Sequence, residues 1–192
     1  MPSKDPVFTP ELIKILKIFG LASVVLVVFL SFFDSYRANN SGEDTTFRMT
    51  SASRLFFLNL KALNYEQEVR KDAGMVLYRH KGFSMSSDIP STFLVLILNT
   101  PKDESYLYIE PHLLDWPFSI LALLGQNEQI LSLENGNKYD HLKQVTKLYD
   151  LVQQEAEFYL LVSDQKIPLW QTDSEKEAVI STFEDYFRII EN

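Results

Sequence analysis

Cysteine is absent from the 192 residues, and histidine occurs three times. The first absence excludes a disulfide framework, a thiolate zinc site and a cysteine nucleophile. The second leaves little for an imidazole-rich metal centre. Glycine is scarce too: six residues are scattered so that neither GxGxxG nor GxxxxGK occurs. Those fingerprints need closely spaced glycines so that backbone can approach a phosphate. GxSxG, HExxH and an acidic calcium loop are also missing. Basic charge is the last shortage. Eighteen Lys and Arg stand against 26 Asp and Glu, a net charge of −8. Phosphate backbones are held by clustered cations, so this balance argues against a nucleic-acid partner.

What is present is a globular composition, 46% hydrophobic and 13% aromatic. The length suits one domain of ordinary size plus an appendage. The appendage is visible near the N-terminus, where Ile18 to Phe33 (IFGLASVVLVVFLSFF) carries no charge. The preceding ELIKILK adds Leu12, Ile13, Ile15 and Leu16, while Lys14 and Lys17 can snorkel to headgroups. A helix over 12–33 covers about 33 Å, enough to cross a hydrocarbon core. Thr9-Pro10-Glu11 reads as its start and Asp34 as its far boundary.

Three readings compete for this run: an uncleaved anchor, a secretory signal peptide and a buried core helix. A signal peptide has a shorter apolar stretch and small residues before its cleavage point, but cleavage after Ala38 puts Tyr36 at the −3 position. A core helix shows a polar stripe, and here only Ser23 and Ser31 interrupt the run. The anchor fits best. Lys4, Lys14 and Lys17 before it, against Arg37 and Arg48 after it, favour a cytoplasmic N-terminus by the positive-inside rule. The run has no acid, Arg or His that would mark an ion path, so tethering is its expected role. Asn39-Asn40-Ser41 fits a glycosylation acceptor but lies too close to the bilayer to carry weight.

The expected organisation is a short cytoplasmic tail over 1–11, a transmembrane helix over 12–33, a polar linker over 34–46 and an extracytoplasmic domain over 47–192, periplasmic if the source is bacterial. Most acids follow the anchor. An acidic domain gains nothing from anionic headgroups, so the sequence predicts that it stands off the bilayer.

Within the domain, 53–71 fits both a helical and an alternating period. Helix is preferred, capped by Ser51 or Ser53, with Arg70 and Lys71 near its end. Met75–His80, Thr92–Asn99 and Ser105–Glu110 read as strands, the second apolar throughout and so buried on both faces. Asp115-Trp116-Pro117 resembles a helix start, with Phe118–Leu124 as the helix and Gly125 as its close. Ile130–Leu133 suggests another strand. A helix over 138–155 has the stripe Leu142, Val145, Leu148, Tyr149 and Val152. Phe158–Val162 and Lys166–Trp170 form a hairpin about Ser163-Asp164-Gln165, with Pro168 placing the second arm at an edge. Thr172-Asp173-Ser174-Glu175 is a capping box for a last helix buried through Val179, Phe183, Tyr186, Phe187 and Ile190. The fold class is α+β: an antiparallel sheet of about 4–6 strands covered by 3–4 helices.

Candidate chemistry is thin. Glu110-Pro111-His112 with Asp115 could share a proton or ligate a metal, but a polar turn after a strand is the stronger explanation. Asp140-His141 opens a helix, where an acid suits the dipole and His141 is expected to face solvent. His80 ends a strand. The dense aromatics suit a core better than a binding surface. No catalytic, cofactor-binding or metal residue is therefore assigned, and no cofactor is expected. The chain reads as a single-pass, non-catalytic accessory or scaffold subunit of a membrane or envelope complex, with lipid contacting 12–33 and other membrane or envelope proteins as partners. The alternatives are a membrane-tethered ligand-binding or sensory domain, or a tethered hydrolase using Glu110, His112 and Asp115.

Overall fold

The structure, a computed structural model, describes residues 9–32, 45–85, 88–163 and 165–190, the side chains of 30–32 excepted. The N-terminal tail to residue 8, the end of the apolar run at Phe33, residues 34–44 of the linker with Arg37 and the Asn39 motif, and Asp164 of the last turn lie outside the described residues. The chain divides into two bodies, an N-terminal helix and a domain.

The N-terminal body is α1, Pro10–Phe32, of 23 residues. Thr9 starts it as the sequence predicts: its Oγ1 accepts from the Leu12 N–H at 3.2 Å, and Glu11 sits in the first turn. Over Pro10–Phe29 the helix is long and apolar enough to cross a membrane, with a mean hydropathy of 2.4 and none of that window buried in protein.

The domain is α+β, but its strands form two antiparallel sheets of four rather than one sheet of 4–6. The first is the meander β1 (Tyr65–Arg70), β2 (Met75–His80), β3 (Ser91–Asn99) and β4 (Glu104–His112). The second contains β5 (Phe118–Leu124), β6 (Asn127–Leu133), β7 (Glu157–Val162) and β8 (Gln165–Leu169), in the order β6-β5-β7-β8. Three helices complete the domain: α2 (Ser51–Phe56), α3 (Lys138–Gln153) and α4 (Asp173–Ile190).

Two helix assignments are corrected as well. Residues 53–71 are not one helix. The short α2, capped by Thr50 rather than Ser51 or Ser53, runs into a π turn (Phe57–Lys61) and a 3₁₀ turn (Ala62–Asn64), and then becomes β1. Six residue pairs with β2, from Tyr65↔His80 to Arg70↔Met75, override the helix-favouring Glu and Gln. Phe118–Leu124 is not a helix either. β5 pairs with both β6 and β7, and Gly125, at φ 61, takes the first of two turn residues leading into β6. A two-residue hairpin asks for positive φ there, so the glycine marks a hairpin and not a helix end.

The alternation of β3 and β4 organises the interior. Leu94, Leu96, Leu98, Leu107 and Ile109 face a core that also takes in Ile120 and Leu160 of the second sheet, Val145 and Leu148 of α3, and Phe183 and Tyr186 of α4. Val95, Ile97 and Tyr106 face the other way and are covered by Phe47, with Leu142 of α3 alongside. Pairing ties the domain's entry to this sheet: the Ser105 N–H donates to the Phe47 carbonyl at 2.8 Å, and Met49 to Asp103 at 2.8 Å. Pro168 lies on β8, an edge strand, as its missing N–H requires.

Candidate functional site

The Glu110, His112 and Asp115 cluster is the first test of chemistry. Glu110 stands near the end of β4, and the Arg79 guanidinium reaches it across β3 with two bonds, Nε to Oε2 at 2.6 Å and Nη2 to Oε1 at 2.7 Å. The third arm of Arg79 binds Glu68 of β1 at 2.8 Å. One cation thus staples the sheet from β1 to β4. The pairing holds the guanidinium even more firmly protonated and lowers the Glu68 carboxyl. A carboxylate clamped on both oxygens has little lone-pair capacity left for a metal. His112 shares a shallow hollow of about 240 Å³ with Glu110, Arg79 and Phe93, its ring 5.4 Å from that of Phe93. Asp115 does not line this hollow; it is exposed in the loop after β4. Among the described residues, no three His, Asp or Glu side chains gather as a metal ion needs.

His141 is buried at 2% exposure, which corrects its expected solvent-facing position. Asn137 and Asp140 form the cap that starts α3, and this places His141 one residue further on, against the outer edge of β4. Its Nδ1 accepts the Ile109 N–H at 3.3 Å, satisfying an edge-strand donor. The ring stacks on Tyr108 at 4.1 Å and meets Trp116 edge-on at 5.8 Å. Burial lowers its pKa, with Asp140 opposing. His80 is also buried. Its Nδ1 accepts from Gly82 at 3.1 Å and its ring packs on Tyr65, and burial lowers its pKa as well.

Sequence reasoning missed Asp185. This carboxylate lies on the buried face of α4, where it accepts from the Tyr65 hydroxyl at 2.9 Å and pairs with Lys61 at 3.5 Å. Burial and that carboxylate push the Tyr65 phenol far up. The signal was an acid inside the apolar stripe between Thr182 and Ile189. Its partners hold the 57–65 segment on α4, which is a structural task.

A cavity of about 420 Å³ opens where α3, β7, β8 and α4 meet. Val152, Phe158, Leu169, Trp170 and Val179 line it with Glu155, Glu157 and Lys176. The aromatics go mainly to the interior, and Tyr139 is the one ring among the exposed large apolar side chains of the described domain residues. The outstanding exposed feature is aliphatic. Leu55, Leu58, Leu60 and Leu63 are 53%, 37%, 60% and 74% exposed along α2 and the turns after it. Phe57 and Ala62 of the same segment are buried, and the Ser53 hydroxyl donates to the Ile189 carbonyl at 2.9 Å. With its inner side so fixed, the segment turns these leucines outward.

No family model, curated protein or solved structure matches the chain.

Proposed function

We propose that the chain is a single-pass membrane-anchored, non-catalytic accessory or scaffold subunit of a larger membrane or envelope complex, acting through an extracytoplasmic domain. One observation carries this reading: a span-length apolar helix precedes a domain that engages Glu110, Asp185 and His141 in its own architecture. Glu110 is held by Arg79, Asp185 by Tyr65 and Lys61, and His141 by Ile109. A minimum length and apolarity alone do not separate α1 from a signal sequence; persistence of α1 in the mature chain does. The positive-inside balance supports the orientation.

Solubilisation of the full chain in gentle detergent, capture and mass spectrometry tests the proposal. A partner recovered in stoichiometric amount is the expected result, and a clean monomer overturns it. A second reading, a tethered ligand-binding domain, is favoured by the 420 Å³ cavity, whose lining combines apolar side chains with three charged ones. Under that reading a small molecule co-purifies with the monomer, and Trp170 fluorescence responds to its removal.

A further inference from the structure

Exposed apolar residues scattered singly are ordinary, but four leucines within nine residues of one segment are not. Charge follows the same segment. From Thr45 to Tyr65 the chain holds Arg48, Arg54 and Lys61 and no acid, although acids outnumber bases 26 to 18 overall. The fold brings two more cations to it: Lys81 donates to the Leu63 carbonyl at 2.8 Å, and Arg188 lies 5.0 Å from the Phe56 ring. The acids paired with the segment's cations are Asp103, at 3.5 Å from Arg54, and the buried Asp185. Aliphatic side chains outward with Lys and Arg at their flanks are the makings of an interfacial helix. The expectation that an acidic domain avoids headgroups rests on its average charge, and this segment departs from that average.

Reach selects the occupant. Twelve residues separate Phe32 from Thr45, and a chain of that length extends at most about 45 Å. A lipid surface so tethered is present at high effective concentration, so a weak interfacial affinity suffices. We propose that residues 51–63 dock on the surface of the membrane holding α1, with Leu55, Leu58, Leu60 and Leu63 entering the boundary between headgroups and acyl chains. This rests on the anchor reading of α1. It also directs the search for a protein partner to the remaining surface of the domain.

The absence of cysteine makes the test clean. Single nitroxide labels at Leu60→Cys, Leu63→Cys, Val24→Cys of α1 and Ile130→Cys of β6 are placed in the full chain, in phosphatidylcholine vesicles with a minor fraction of phosphatidylglycerol. All four positions are exposed, so folding is not at risk. The labels at 24, 60 and 63 are expected to collide with dissolved oxygen in preference to an aqueous nickel chelate, and the label at 130 to show the reverse. Labels at 60 and 63 that meet the chelate as freely as the one at 130, while 24 stays in lipid, overturn the docking and leave the anchor standing. A label at 24 that meets the chelate overturns the anchor and the docking with it. Labels at 60 and 63 shielded from both reagents mean that protein covers the leucines, which also overturns the docking.

Discussion

His141 accepts a backbone proton through Nδ1, so that nitrogen carries none and its protonation sets donor against donor at the edge of β4. Burial lowers its pKa from the 6.5 of a free imidazole. As pH falls, the unfolded chain therefore binds the proton first. The contribution is intact above 6.5 and declines as pH falls from there towards the folded value, by at most about 1.4 kcal/mol per pH unit. Urea titrations between about pH 8 and about pH 5 should show a shallower pH slope for His141→Gln than for the native chain; equal slopes refute the assignment. Tyr186 offers a second residue-scale check. It is fully buried, and its hydroxyl finds no partner among the described residues, while burial drives its phenol pKa up. Tyr186→Phe should stabilise the domain by about 1 kcal/mol, since a buried hydroxyl without a partner costs its desolvation. A loss of stability in chemical denaturation shows that the hydroxyl is bonded. Little of this was legible beforehand. The sequence placed His141 at a helix start, but the covering strand edge comes from β4, 32 positions away.

Among the elements, legibility followed how far the information was local. The α4 start was readable because Thr172 and Glu175 satisfy each other's backbone within one turn, at 3.2 Å both ways. β3 was readable because burial on both faces leaves an unbroken apolar run. β1 was not, because YEQEVR is held by pairing with β2 while its Glu, Gln and Arg favour a helix and only Tyr65 and Val69 a strand. Glu110 and His112 do border one hollow, yet the Arg79 clamp that occupies Glu110 comes from another strand. The end of α3 carries a local signal that the sequence violates. Ala156 N–H donates to Leu151 at 3.1 Å and Glu155 N–H to Val152 at 3.0 Å, the two bonds of a Schellman turn, with Glu155 at φ 58 where glycine is usual. An L residue there costs about 1–2 kcal/mol, partly offset by the greater freedom glycine has when unfolded. Glu155→Gly should raise stability by about 0.5–1 kcal/mol. An unchanged or lower denaturation midpoint contradicts the turn geometry.

At the scale of the whole domain, the open question is whether two sheets make one cooperative unit or two. Side chains from both sheets and from α3 and α4 share a single core. The Trp170 indole, just after β8, donates to the Thr92 carbonyl of β3 at 3.0 Å from a buried position, bonding the second sheet to the first. Phe183 of α4 belongs to that core, fully buried, 5.0 Å from Tyr149 of α3. Truncating a buried phenylalanine costs about 3–5 kcal/mol. If the core is shared, Phe183→Ala should destabilise both sheets together. Indole fluorescence follows the surroundings of Trp116 and Trp170, and far-UV circular dichroism follows the helices and strands at large. α1 in detergent adds only a constant to the second signal. In the native chain the two transitions should coincide, and in Phe183→Ala both should move to lower denaturant by the same amount. A biphasic trace, or a dichroism transition that stays in place while fluorescence shifts, assigns the sheets to separate units. Cooperativity bears on the proposed role as well, because a subunit that binds a partner on one sheet passes that stabilisation to the other only through a common core.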